Sequence, residues 1–260
     1  MSFNGKTALI TGSTSGIGLG IAENFADHGM NLVINGFGDP DKIEEERKSL
    51  EARGVKVIYN GADMTKPDEI TTMVQQAEEE FGAVDILVNN AGIQYVSPVE
   101  DFPPEKWDAI IAINMSSAFH TTRAAITGMR KAGWGRVINM CSAHGLVASP
   151  YKSAYVTAKH GILGFTKTIA LEVAQDNITC NAICPGYVHT PLVQNQIADT
   201  AKARGITEEE VVNDVMLKAQ WTKKFVTVEQ VAGIALFLCS DIAENITGTD
   251  ITVDGGWTAA

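Results

Sequence analysis

The sequence predicts an α/β fold: a single doubly wound parallel sheet with helices on both faces. Three observations predict it. Short apolar segments of strand length alternate with longer helical segments along the whole chain. No linker, repeat or low-complexity stretch divides the 260 residues, so residues 1–260 form one domain. The first strand-like segment runs straight into a glycine-rich turn and a helix, a layout that presents backbone N–H groups to a phosphate.

The first strand lies at residues 6–11 and leads into Gly12-Ser-Thr-Ser-Gly16-Ile-Gly18. Ile17, Ile21, Ala22 and Phe25 then fall on one side of a helix. The glycine spacing permits close backbone approach and tight helix packing. It is not the strict G-x-G-x-x-G fingerprint, and it lacks the Lys-Ser/Thr ending of a phosphoryl-transfer loop. A second strand, 31–35, turns through Gly36 and Phe37 into a charged helix at 41–53. Dinucleotide folds often place an acid at this strand end to hold a ribose hydroxyl. Here Asp39 comes late, and no Lys or Arg stands near Ser15 or Phe37 to meet a 2′-phosphate. The pattern favours NAD over NADP.

A third strand, 55–59, ends near Asp63-Met64, where a polar residue either meets an adenine edge or leads the next helix, 67–81. A fourth strand, 84–88, is followed by Asn89-Asn90-Ala91-Gly92, small and polar residues suited to the crevice at strand carboxyl ends. Residues 107–129 read as an apolar helix with Asn114 at its middle, which marks a kink or a water site. A fifth strand, 136–140, ends in Cys141-Ser142-Ala-His144. A helix at 152–175 and a sixth strand at 178–183 lead to a loop, Pro185-Gly186-Tyr-Val188-His-Thr190. Residues 192–220 are polar and helical with weak core periodicity, as expected of a mobile lid at about 190–220. A helix at 228–239 and a strand at 249–253 complete the chain before Asp254-Gly-Gly-Trp257.

Charge and composition narrow the function. The formal net charge of −11 disfavours nucleic acid and anionic membrane surfaces as partners. No run of about 18 apolar residues predicts a membrane span, and no secretory leader is expected. The four cysteines form no C-x-x-C pair, so the expectation is reduced thiols, a cytoplasmic location and no metal site.

The chemistry-bearing stretch is Ser153-Ala-Tyr155-Val-Thr-Ala-Lys159. Residues four apart share a helix face, so an ammonium stands beside a phenol. A free phenol titrates near about 10, and a nearby cation favours its ionised form. A phenol tuned this way exchanges a proton with an alcohol or ketone oxygen. Taken alone, the same pair also fits a half-exposed helix face.

The turn Gly12-x3-Gly16-Ile17-Gly18, Asn89-Asn90-Ala91-Gly92, Asn114, Ser142, Tyr155-x3-Lys159 and Pro185-Gly186 occur together in this order. In that combination the chain resembles the short-chain dehydrogenase/reductase family over essentially its whole length. The resemblance implies a Rossmann-type fold and a nicotinamide cofactor. It implies Tyr155 as general acid/base, Lys159 as the group that lowers its pKa and holds the nicotinamide ribose, Ser142 as the polariser of the substrate oxygen, and Asn114 as holder of a relay water. It further implies cofactor contacts from Gly12, Thr14, Ser15, Gly16, Ile17, Gly18, Phe37, Asp63, Met64, Asn90, Gly92, Pro185, Gly186, Val188 and Thr190.

Gln94, His144, Lys152 and Gln196 come from four loops that converge on Tyr155 in such a fold. A lysine there anchors a carboxylate, with Gln and His adding hydrogen bonds. Solvation of Lys152 and a structural role for His144 are the plain alternatives. With Trp257 and the flanking stretches 93–102 and 143–149, this set is similar to that of family members acting on small 3-hydroxy acids. The similarity implies NAD-dependent interconversion of (R)-3-hydroxybutyrate and acetoacetate by a homotetramer, with the long helices starting near Trp107 and Lys152 in the interface. The alternatives are a reductase of 3-oxoacyl thioesters or secondary alcohols, and a nucleotide-sensing protein with an inactive site.

Overall fold

The computed structural model describes residues 3–260, and for residues 191–192 the backbone alone. Among the described residues, seven strands form one sheet: β1 (Thr7–Ile10), β2 (Asn31–Asn35), β3 (Val57–Asn60), β4 (Ile86–Asn89), β5 (Gly135–Met140), β6 (Ile178–Pro185) and β7 (Asp250–Val253). Their order is β3-β2-β1-β4-β5-β6-β7, and every neighbouring pair is parallel. Parallel strands need crossovers, and the helices supply them. These are α1 (Gly16–Asp27), α2 (Pro40–Glu51), α3 (Pro67–Phe81), α4 (Pro104–Ile111), α5 (Ser117–Ala132), α6 (Ser153–Val173), α7 (Pro191–Arg204), the single turns α8 (Glu208–Glu210) and α9 (Leu217–Ala219), and α10 (Val228–Cys239).

Alternation along each strand divides the core into two layers. Ala8, Ile10, Leu32, Ile34, Ile86, Val88, Ile138 and Met140 face Ile21, Phe25, Leu50, Val231 and Leu238 of α1, α2 and α10. Leu9, Val33, Leu87 and Val137 face Ile70, Met73, Ala125, Met129 and Ala170 of α3, α5 and α6. The near-continuous apolar runs of the strands follow from this burial on both faces.

Several boundaries differ from the sequence expectation for local reasons. The ladder of β4 starts at Ile86, because the preceding Asp85 spends its carboxylate on the Thr7 N–H (2.9 Å) and the Lys6 ammonium (2.7 Å). β3 starts at Val57, whose partner Leu32 opens the pairing with β2. β6 runs on to Pro185, which stands opposite Val253. Asp39 caps α2 by accepting from the N–H groups of Asp41 and Lys42 (2.9 and 3.4 Å), so that helix opens at Pro40.

The expected helix at 107–129 is two helices, α4 and α5, joined by a π turn at Ala112–Ser116. Asn114 sits inside this turn, in keeping with the kink its residue type marked. The segment 192–220 is broken into α7, α8, a second π turn (Val211–Met216) and α9. It carries its own small cluster, Val193, Val211 and Met216 around Tyr187, apart from the two sheet layers. No helix among the described residues is long and apolar enough to cross a membrane. Cys141, Cys180, Cys184 and Cys239 are buried free thiols.

Candidate active site

The strand order reverses beside β1, which pairs with β2 on one side and β4 on the other. Such a switch point opens a crevice at the carboxyl ends of the strands. A cavity of about 490 Å³ fills it, running from Gly12 and Phe37 at one end to Lys152 and Trp257 at the other.

The first end is made mostly of backbone. Gly12 has φ +63°, and a Cβ there would come within 2.8 Å of the Ala91 Cα. The Thr11 hydroxyl accepts from the N–H groups of Asn90 and Ala91, both at 3.0 Å. The Asn90 amide donates to the carbonyls of Thr11 and Gly12, both at 2.9 Å. The glycine turn is thereby tied to the end of β4. Ser15 precedes α1 with extended backbone and makes no side-chain cap, and no acidic residue occupies the first turn. Helix N–H groups left this way beside a cavity form a phosphate cradle. Gly18 does not line the cavity; a Cβ there would lie 2.3 Å from the Gly12 carbonyl oxygen, so it serves the packing of α1 on the turn.

Asn35 ends β2 where many dinucleotide folds carry an acid. Its amide accepts from Gly12 N–H (3.3 Å) and donates to the carbonyls of Asn60 and Ala62, both at 3.0 Å. It is committed to joining three loops. Phe37 lies beyond it, 68% exposed, with its carbonyl held by the Thr14 hydroxyl at 3.2 Å. Asp63 accepts from the N–H and hydroxyl of Thr65, both at 2.8 Å, which hold its carboxyl below the usual range. Met64 is buried beside it in the wall. The cations lining the cavity are Lys152 and Lys159, both toward the other end. Backbone cradle and small residues at this end fit a dinucleotide.

At the centre, α6 brings Tyr155 and Lys159 onto one face. The Lys159 ammonium lies 5.5 Å from the Tyr155 ring centre and donates to the Met140 carbonyl at 2.7 Å. Burial pushes the Lys159 pKa down. Burial also pushes the Tyr155 phenol above its ordinary value, while its hydrogen bond with Ser142 pulls it down. The four-residue spacing does place the ammonium beside the phenol, and in this structure that ammonium is engaged with the Met140 carbonyl. Ser142 heads a short turn after β5, and its oxygen accepts from His144 N–H at 3.2 Å. Asn114 does not line the cavity. Its amide accepts from Ile93 N–H (2.8 Å) and donates to Ile93 C=O (2.9 Å), fixing the segment that follows Gly92.

The second end is made of side chains. Lys152, 6% exposed, precedes α6; its ammonium donates to the Gln196 amide oxygen at 3.4 Å and stands 5.3 Å from the Tyr187 ring centre. Burial, then the Arg204 charge, pushes its pKa down to about 8. His144, 3% exposed, sits edge-on to Tyr155, Tyr187 and Trp257 at 6.0, 6.3 and 4.9 Å between ring centres. Burial, then the Lys152 charge, pushes its pKa down to about 3, so the ring is neutral at pH 7. Its Nε2 has no hydrogen-bond partner, and neither do the two polar atoms of the Gln94 side chain. Gln94 itself does not line the cavity. Buried polar atoms without partners, beside a buried ammonium, describe a socket for a small anion. Among the described residues no carboxylate forms an ion pair with Lys152.

The remaining expected residues, Thr14, Gly16, Ile17, Asn90, Gly92, Pro185, Gly186, Val188 and Thr190, all line the cavity. Sequence reasoning missed Asn35 and Tyr187. Asn35 was legible only as a polar strand end. Tyr187 directly follows Pro185-Gly186, and its ring stacks on Trp257 at 5.2 Å and 12° between planes.

Residues 6–201 match the sequence model of the family described as short chain dehydrogenase. The chain is 62% identical over 257 residues to a D-beta-hydroxybutyrate dehydrogenase of Rhizobium meliloti (strain 1021), covering 98% of this chain and 99% of that one. It is 56% identical over 256 residues to a protein of the same description from Cupriavidus necator, again covering 98% and 99%. A solved structure described as a short-chain alcohol dehydrogenase, from Sinorhizobium meliloti 1021, superposes with a TM-score of 0.89 at 33% identity, covering 100% of this chain and 98% of that one.

Proposed function

Because the chain belongs to the short-chain dehydrogenase family, we propose that it interconverts (R)-3-hydroxybutyrate and acetoacetate with NAD as cofactor. The observation that carries this reading is the socket beside Tyr155: a buried lysine without a carboxylate partner, flanked by the unpartnered His144 Nε2. A 3-hydroxy acid supplies a carboxylate to that socket. Its carbinol then reaches the phenol. A thioester offers no charge to Lys152, and a plain secondary alcohol has nothing to place there. The two named relatives support the same substrate by their descriptions.

The residues at the first end suit NAD: Gly12, Gly16 and the N-terminus of α1 for the pyrophosphate, Asp63 and Met64 for the adenine, and Thr190 and Lys159 toward the nicotinamide. Bound there, the nicotinamide supplies hydride chemistry at the carbinol carbon. Tyr155 moves the proton. Protonated, the phenol donates to the ketone oxygen in reduction; ionised, it takes the carbinol proton in oxidation. Ser142 donates to the same oxygen and stabilises its developing charge. Lys159 sets the phenol's field, and the Asn114 amide holds the wall at Ile93. Lys152, His144 and Gln196 orient the carboxylate, and Tyr187 and Trp257 enclose the short carbon chain.

Three further parts belong to the reading. The segment 190–220 acts as a lid that carries Gln196 to the ligand. The chain works in the cytoplasm. It assembles as a homotetramer, for which the exposed Phe119 on α5 and Leu171 on α6 provide apolar surface. Light scattering on the eluting protein should return four times the 27.8 kDa chain mass. Absorbance of NADH tests the activity: formation from NAD with the (R)-acid, and none with the (S)-acid, is the expected result. Turnover of a neutral ketone with none of this acid would overturn the substrate assignment.

A further inference from the structure

Between the lid segment and α10 the chain passes under the substrate end of the cavity, and Gln220 is wholly buried there. Its amide oxygen accepts from the Tyr187 N–H, and its amide nitrogen donates to the Lys224 carbonyl. The side chain also packs between two glycines. A Cβ on Gly186 would lie 2.3 Å from its oxygen, and a Cβ on Gly255 would lie 3.2 Å from its own Cβ. Gln220 thus meets three segments: the loop after β6, its own segment leading to α10 and the turn after β7.

Two of these segments, the loop after β6 and the turn after β7, carry part of the cavity wall. Tyr187 follows Gly186, and its backbone is held again by Val226, whose N–H donates to the Tyr187 carbonyl at 2.9 Å. Trp257 follows Gly255 and Gly256, which take φ +62° and +85°. That turn is fixed from one side by Asp254, which accepts from Gly256 and Thr258 N–H, both at 2.9 Å. It is fixed from the other by the Thr222 N–H, which donates to the Gly255 carbonyl at 3.1 Å. The two rings then stack and close over Lys152 and His144. Gln220 touches none of the cavity itself.

We propose that Gln220 is a positioning residue for the substrate end: its amide sets the spacing of the Tyr187 and Trp257 walls, and through them the affinity for the substrate. This rests on the 3-hydroxybutyrate reading above. The Gly12 end of the cavity is built from other loops, and of the Pro185–Thr190 loop Gln220 bonds only the Tyr187 N–H, so the effect should fall on substrate far more than on NAD.

The test is Gln220→Met, close in volume and unable to make either hydrogen bond, with Gln220→Glu beside it, which still accepts from the Tyr187 N–H. Initial rates with (R)-3-hydroxybutyrate, the NAD Kd from fluorescence and the melting temperature are measured for both variants and wild type. Gln220→Met should raise the substrate KM about tenfold with less than about threefold change in kcat, and leave the NAD Kd within about twofold. Gln220→Glu should recover part of the KM. An unchanged KM in Gln220→Met, or equal losses of substrate and NAD affinity, would overturn the positioning role, the second by reducing it to general stability. Should Gln220→Met not fold, Gln220→Glu decides: a KM equal to wild type, or one raised together with the NAD Kd, overturns the role, and a KM raised alone supports it. No turnover of this acid by wild type would overturn the functional reading and this inference together, whereas wild-type turnover with an unmoved variant KM overturns this inference alone.

Discussion

The two ends of the cavity are built on different principles. At the Gly12 end, backbone does the work: helix N–H groups, a turn with positive φ and an asparagine spent on carbonyls. At the Lys152 end, side chains from separate loops meet, several buried and short of partners. Backbone recognition tolerates any molecule with the right phosphates and depends on close approach. Side-chain recognition depends on charge state, and it responds to pH. Damage at one end should therefore leave the other measurable.

The largest effect lies where the ends meet. Tyr155→Phe removes the proton carrier and leaves the ring, so turnover should fall ~10³-fold with NAD binding kept. Single-turnover NADH absorbance and NAD-dependent fluorescence would read the two separately. Next comes Lys152→Ala, which takes the cation from a buried carboxylate socket. The substrate KM should rise ~100-fold, with the NAD Kd little changed. Equal losses in both would dissolve the distinction between the ends. Gly12→Ala gives the reverse pattern. The added methyl meets the Ala91 backbone and the φ is unfavourable, so the NAD Kd should weaken by about tenfold and substrate protection of Lys152 from acylation should persist.

The smallest effect comes from pH. Lys152 is held at about 8, so its ammonium is present below that value and lost above it. The substrate KM should be level well below pH 8 and rise about fourfold by pH 8.5. The NAD Kd should lack this inflection. His144, at about 3, contributes no step across that range. A KM profile flat to pH 10 would show that the carboxylate does not seat on Lys152.

The same division governs what the sequence made legible. The sheet, its crossovers and the glycine turn follow from periodicity and local backbone chemistry, which neighbouring residues dictate. The kink at Asn114 was visible because an amide is unfavourable in mid-helix, but its attachment to Ile93 joins residues 21 apart and leaves no local trace. The raised phenol was invisible for a similar reason. Spacing places Lys159 beside Tyr155, whereas desolvation depends on everything packed around both, and Lys159 turns to the Met140 carbonyl from another element. Tyr187 escaped notice because its importance lies in a stacking partner 70 positions away, Trp257.

The ammonium of Lys152 has a consequence beyond substrate binding. A buried cation with, among the described residues, one amide oxygen and the Tyr187 ring for company is under electrostatic tension, and a visiting acid relieves it. The folded chain should therefore melt later in acetate or short fatty-acid salts than in chloride of equal strength. Those same salts should slow the enzyme in competition with its substrate, and discrimination among small acids then falls to the two aromatic walls that measure their carbon chains.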